Sequence, residues 1–331
     1  MKKVFVTGGS GFIGTNVVSS LLADGYVVLS IDIKPPQDKT HVALYEHGDI
    51  LDGDYLIRTV QKFAPDIIVH LAARTDLNEK VGINGYQANT IGVQNIISAI
   101  KQQPSVQRCI FSSTKLVCST NYTPKTEDDY CPDTLYGRSK VQGERIVKSA
   151  EGLTCTWCIV RPTSIWGPWS MAPHIPYGRF FQLISKGLYY HLGNVDSPKS
   201  FGFVGNTVFQ LKKLLLAECF AIDRKVFYLS DYETYYIREW ANTISIKLKR
   251  KPIHDLPEPL IYLAAKLGDF AKIIGYREPP ISTFRLKNMR ADTSGIPLEN
   301  IKKVTGTLPY TIEQGVDCTI TWMRRNGYIS C

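Results

Sequence analysis

Apolar and polar positions follow two alternating rhythms through the first half of the chain. Lys3-Val4-Phe5-Val6-Thr7 is a short apolar, β-branched run closed by glycines, as expected of a strand buried on both faces. Phe12 to Ala23 then places Ile13, Val17, Leu21 and Leu22 at helical spacing toward a core. Tyr26 to Ile31, Asp66 to Leu71, Gln107 to Ser113 and Thr154 to Val160 repeat the strand pattern, and Ala88 to Ile100 is helical. Strand–helix–strand repetition with continuous apolar strands predicts an α/β fold, a doubly wound parallel sheet covered on both faces.

Beyond Trp166 the rhythm becomes ragged. Pro168, Pro173 and Pro176 punctuate an irregular stretch. Lys212 to Cys219, Tyr236 to Leu248 and Leu260 to Ile274 read as helices, and Val226 to Ser230 as a strand. This divides the chain into a first domain over 1–166, to which segments near 199–230 return, and a smaller interleaved C-terminal domain over 167–331. Lys266, Asp269 and Lys272 give Leu260 to Ile274 the character of an ordinary packed helix rather than a membrane-surface one. No apolar run approaches the ~18 residues of a membrane span. The glycines at 8 and 9 interrupt any signal-peptide core after Met1-Lys2-Lys3. The expectation is a cytoplasmic protein that engages no membrane.

Composition changes this picture in two places. With 39 Lys and Arg against 30 Asp and Glu, the 331-residue chain carries a formal charge of +9, which points to an anionic partner. The basic residues are spread along the chain and no nucleic-acid-binding motif is present, so nucleic acid is not the expected partner. The eight cysteines read as reduced thiols. Cys155 and Cys158 lie on opposite faces of an expected strand, which argues against a shared metal, and no metal site is expected.

Thr7-Gly8-Gly9-Ser10-Gly11-Phe12-Ile13-Gly14 joins a strand to a helix, the context in which such glycines bind a dinucleotide. Gly9 and Gly11 let backbone approach a pyrophosphate at the helix N-terminus, where Gly8, Phe12 and Ile13 line the same loop, and Gly14 lets the helix pack closely. Asp32 ends the second strand, where a carboxylate accepts the adenosine ribose hydroxyls and favours NAD. Lys34 keeps NADP as the alternative. Asp49 and Ile50 are placed near the adenine, and Leu71-Ala72-Ala73 leaves room for the middle of the cofactor. His70 reads as a satisfied buried imidazole.

Tyr136 and Lys140 share one helix face at i and i+4. A phenol with a pKa of about 10 is a poor base, and a neighbouring cation is expected to lower it. Thr114 follows a strand that ends in hydroxyls and can hydrogen-bond a substrate oxygen while Tyr136 exchanges its proton. With Asn89 to Asn95 and Arg161 to Pro168, these stretches resemble the extended short-chain dehydrogenase/reductase family, the nucleotide-sugar epimerase, dehydratase and reductase group. Leu308-Pro309-Tyr310-Thr311 and Glu313 to Val316 are similar to its closing segment.

The resemblance implies a Rossmann-type NAD(P)-binding domain, a C-terminal nucleotide-sugar domain and hydride transfer at C4, with Thr114, Tyr136 and Lys140 catalytic. It also implies a homodimer, and Thr75, Ser164 and Lys199 on the substrate side. Dehydratases of the family carry an Asp-Glu pair where Lys115 and Leu116 stand, so elimination of water is not expected. Reduction of a nucleotide-linked 4-keto-6-deoxyhexose is the leading expectation, because the substrate-side motif is altered at Ser164, Trp166 and Lys199. An NAD-dependent 4-epimerase is the alternative, favoured by Asp32, and a non-enzymatic dinucleotide sensor comes third. Lys140, Arg161 and Lys199 are the cations expected to draw phosphates into the cleft.

Overall fold

In a computed structural model, the apolar runs of the first half become neighbours in one parallel sheet. All residues are described except 78, 80, 172–175, 194, 195, 274–281, 330 and 331, so Pro173 and Ile274 lie outside the described residues. The strands up to the middle of the chain are β1 (Lys3–Thr7), β2 (Val27–Asp32), β3 (Tyr45–His47), β4 (Ile67–His70), β5 (Arg108–Ser112) and β6 (Thr156–Pro162). They are followed by β7 (Ser164–Trp166), β8 (His191–Leu192), β9 (Phe201–Phe203), β10 (Lys225–Leu229) and β11 (Asp255–Leu256). A seven-stranded sheet runs in the order β10-β6-β5-β4-β1-β2-β3. The direction of winding reverses between β1 and β4, which opens a crevice beyond their C-terminal ends.

Burial explains the continuous apolar runs. On β1, Val4 and Val6 enter one core while Phe5 enters the other, and all three are fully buried. Helices α1 (Phe12–Ala23) and α6 (Val204–Leu216) cover the first face through Val17, Leu21, Val208 and Leu211. The second face lies under α2 (Gly53–Phe63), α3 (Ile91–Lys101) and α4 (Leu135–Lys148), with Leu56, Ile96, Ile100 and Val147 inward. Cys158 packs in the first core and Cys155 in the second, on opposite faces as strand geometry requires.

The later half adds α5 (Pro176–Ser185), α7 (Cys219–Ile222), α8 (Ile237–Lys247), α9 (Glu258–Ile273), α10 (Thr283–Arg290), α11 (Glu299–Thr305) and α12 (Ile312–Arg325). Here β10 joins the sheet beside β6, whereas β9 pairs with β7 outside it. Fully buried Trp166 centres an aromatic cluster, with the rings of Phe181, Phe203, Tyr235 and Trp240 between 5.0 and 6.2 Å away. A bulky indole there fills a core rather than reaching a ligand.

Two expected elements shift. Residues 83–89 form 3-10 turns, so α3 begins at Ile91 rather than Ala88. The helix read from Lys212 starts at Val204, directly after β9, and stops at Leu216 before α7. Its apolar face (Val204, Val208, Leu211, Leu215) had already begun inside the stretch read as a substrate motif.

Candidate active site

The glycine loop is shaped by contacts between backbones. Gly8 has φ +75°, and a Cβ there would sit 2.6 Å from the Ala72 amide nitrogen at the end of β4. A Cβ on Gly14 would lie 2.1 Å from the Gly8 carbonyl oxygen, so the first turn of α1 rests on the loop. Gly11 is exposed at the N-cap of α1, and no side chain caps that terminus. Phe12 and Ile13 open the helix behind it, half-buried. Gly9 differs from the expectation: it is buried against Ser30, whose Oγ would be 1.9 Å from an added Cβ, so packing rather than ligand approach requires it.

Asp32 ends β2 beside this loop. One carboxylate oxygen accepts from the Ser10 amide at 3.2 Å and the other from the Lys34 amide at 3.0 Å. Burial raises its pKa, with those amides pulling the other way. Leu71, Ala72 and Ala73 follow β4, and the amides of Leu71 and Ala72 bond Thr7 at 3.0 and 3.2 Å. An uncapped helix N-terminus, a backbone crevice and a carboxylate at the second strand fit a dinucleotide. Gly8, Gly11 to Gly14, Asp32 and Ala72 would hold it. The buried Ser113 Oγ, which has no hydrogen-bond partner, is available beside it. Asp49 is exposed and accepts from the Leu51 amide at 2.9 Å, while Ile50 is buried beneath α3.

Thr114, Tyr136 and Lys140 come together at the end of β5. Thr134 caps α4 by accepting from the Gly137 amide at 3.0 Å. Gly137 lets that helix press on the segment after β5, since a Cβ would be 2.2 Å from the Leu116 carbonyl oxygen. This close approach brings Tyr136 beside Thr114, close enough for the threonine to oppose the rise in the phenol's pKa. Lys140 is buried one turn on and donates to the Ser112 carbonyl at 2.9 Å. Burial pushes its pKa down to about 8. The expected lowering of Tyr136 by Lys140 is not what this geometry gives: burial pushes the phenol up to about 12, with Thr114 opposing. A neutral phenol beside a hydroxyl can give a proton to a substrate oxygen or relay one from it. His70 meets its expectation, held by Thr7 at 2.7 Å and kept neutral by burial, which pushes it down to about 3.

Three supporting residues escaped sequence reasoning as such. Tyr86 packs its ring 6.0 Å from that of Tyr136. Asn89, buried, binds Ser139 Oγ at 2.9 Å and the Arg74 backbone at 3.0 Å, fixing α4 against the segment after β4. Glu144 continues the Tyr136–Lys140 face by one more turn, a spacing visible in the sequence. It pairs with Arg161 through bonds of 2.7 and 2.8 Å. Arg161 is therefore not a cation for phosphates: it is fully buried and also binds the Tyr228 hydroxyl and the Glu127 carbonyl.

Lys115, the residue after Thr114, lines a cavity of about 290 Å³ with Ser119, Tyr122, Tyr228, Asp292 and Thr293 among others. Burial, reinforced by the nearby Lys199 ammonium, pushes the Lys115 pKa down to about 8, and Asp292 opposes the shift. Lys199 is buried and donates to the Ala291 carbonyl. Of the other expected substrate residues, Ser164 opens β7 near Tyr177, and Thr75 is exposed after β4.

Residues 4–213 match the NAD dependent epimerase/dehydratase family. The chain belongs to that family. It is an NAD-dependent enzyme of the extended short-chain dehydrogenase/reductase type. Among similar proteins is the N-acetyl-alpha-D-glucosaminyl-diphospho-ditrans,octacis-undecaprenol 4-epimerase of Escherichia coli O157:H7. The two are 26% identical over 327 residues, which covers 96% of this chain and 94% of that one. The UDP-glucose 4-epimerase of Vibrio cholerae is 30% identical over 276 residues, 78% of this chain and 79% of its own. The fold is similar to that of the UDP-glucose 4-epimerase of Thermotoga maritima, solved with UDP-glucose. That match has a TM-score of 0.76 and 19% identity, covering 98% of this chain and 99% of that one.

Proposed function

We propose that this family member is a 4-epimerase of a hexose carried on a diphosphate. Bound NAD would supply the hydride acceptor. Tyr136 exchanges the proton of the C4 oxygen, Thr114 holds that oxygen, and Lys140 orients the cofactor from beneath. The observation that carries the reading is the Thr114–Tyr136–Lys140 group standing intact beside Lys115 and Leu116. Redox and proton transfer at one carbon are provided for, while the carboxylates for eliminating water are not. Of the two reactions this chemistry allows, epimerisation leads over reduction, supported by two relatives that span more than three-quarters of the chain and are 4-epimerases.

The test is incubation of the purified protein with NAD and a UDP-hexose, following both sugar configuration and nicotinamide absorbance. Interconversion of the two 4-epimers with no net absorbance change is the expected result. Steady oxidation of NADH with a 4-keto-6-deoxy nucleotide sugar would replace the reading with a reductase. A lipid rather than a nucleotide on the far side of the diphosphate is the second form of the proposal. It is favoured by the exposed apolar residues of α9 and by the E. coli relative, whose name specifies an undecaprenol carrier. Turnover of a polyprenyl-diphospho-sugar in detergent, with none on the UDP-sugar, would select it.

A further inference from the structure

α9 is amphipathic in an unusual sense. Its inner face is held by Ile261 and Ala265, both fully buried, packed with Leu286 of α10. Its outer face is also apolar: Leu260, Leu263, Leu267 and Phe270 are 53, 56, 60 and 59% exposed, and Tyr262 is half exposed beside them. Spacings of three, four and three residues put those four in one stripe along about 15 Å of helix. Scattered exposed apolar residues are ordinary on a protein surface, whereas a continuous stripe of this length marks a contact surface.

Charge indicates what the contact is. Residues 258–290 contain six Lys and Arg against three Asp and Glu. The two carboxylates described there are both engaged by neighbouring side chains. Glu258 binds Arg290 at 2.7 and 2.8 Å, and Asp269 accepts from the Thr283 hydroxyl at 2.5 Å. Lys266, within the stripe, and Lys287 on α10 are exposed. A second copy related by a two-fold axis through the middle of the stripe would set Lys266 near its own counterpart, while Glu258 is already paired with Arg290. A bilayer with anionic headgroups suits both features, taking the Leu and Phe side chains below the headgroups and the lysines among them.

We infer that the outer face of α9, with Lys266 and Lys287, docks on an anionic lipid surface. Among the described residues no helix is long and apolar enough to cross a membrane, so α9 lies along the surface. α10, which carries Lys287, leads along the chain into the candidate site. The chain leaving α10 supplies the Ala291 carbonyl to Lys199, and then Asp292 and Thr293 to the wall of the Lys115 cavity. A docking face on α9 departs from the reading of 260–274 as a merely packed helix: the residues expected to define its polar face leave Leu263 and Leu267 pointing outward beside Lys266.

The test is flotation of the full-length protein with vesicles of phosphatidylcholine alone and with about one-third phosphatidylglycerol added. The protein is expected to float with the anionic vesicles. Leu263→Glu with Leu267→Glu is expected to lower the bound-to-free ratio by about tenfold or more, and Lys266→Glu with Lys287→Glu by about tenfold on anionic vesicles only. Circular dichroism should be unchanged in both, since all four side chains are exposed. Absence of parent flotation, or Leu263→Glu/Leu267→Glu variants that float like the parent, would overturn the inference. A parent dimer that the leucine substitutions split in sedimentation velocity would assign the face to a second copy instead. Flotation is read without turnover, so failure of the epimerase proposal and failure of docking are separate outcomes.

Discussion

The two sides of the Thr114–Tyr136 pair are built by different means. On the cofactor side, main chain meets main chain: Gly8 on Ala72, Gly14 on the Gly8 carbonyl, and the Ser10 amide on Asp32. On the cavity side, long side chains from distant segments converge: Lys115 after β5, Lys199 before β9, Asp292 after α10. The first arrangement grips a ligand common to many enzymes and tolerates little change. The second concentrates charge where substrates differ, and one side chain can alter it.

The largest expected effect comes from the buried pair that anchors α4 to β6 between these two sides. Arg161→Ala leaves Glu144 buried without its cation and should destabilise the protein by about 3–5 kcal/mol in urea unfolding. Replacing both residues with apolar ones of similar volume should recover most of that loss. If the single substitution is silent, α4 is held by something other than this pair.

Gly8→Ala probes the backbone-built side. The left-handed φ and the contact with Ala72 together predict about 2–3 kcal/mol of destabilisation by thermal unfolding. NAD affinity, measured by calorimetry on the folded fraction, should fall as well. Equal affinity would show that the loop does not touch the cofactor.

Lys115→Met probes the cavity side, with an effect opposite in sign. The folded pKa of about 8 lies below the ordinary 10.5, so burial opposes folding wherever this lysine is charged. That penalty is complete below about pH 8 and fades between about 8 and 10.5, so native stability rises with pH across this window. Removing the ammonium should therefore stabilise the protein by about 1–2 kcal/mol at pH 7, after discounting for its partial exposure, and by nothing above pH 10.5. Urea titrations at both ends of the window check the sign. The same substitution should raise KM for a diphosphate-linked substrate more than it lowers kcat.

What the sequence disclosed follows the same division. The sheet, the glycine loop and the Tyr136–Lys140 face are local patterns, written in period two, period 3.6 and glycine spacing. They lie in the structure within a residue or two of their expected places. The three-residue β3 is too short to carry a period, and the start of α6 is masked because its first residue, Val204, closes the Lys199 to Val204 stretch that resembles a substrate motif. Arg161 read as a surface cation because nothing local shows that Glu144 and Tyr228 would enclose it. Likewise Lys115 read only as a missing carboxylate, since its proximity to Lys199 and Asp292 depends on tertiary folding. The phenol of Tyr136 was expected to fall in pKa, but the sequence could not weigh a neighbouring cation against burial, and burial prevails.

The account rests on Tyr136 exchanging the proton of the carbinol whose hydride NAD accepts. Tyr136→Phe should leave NAD affinity unchanged while slowing sugar-dependent reduction of bound NAD, followed by nicotinamide absorbance in a single turnover, about a hundredfold or more. Reduction at the parent rate with NAD still bound would contradict it.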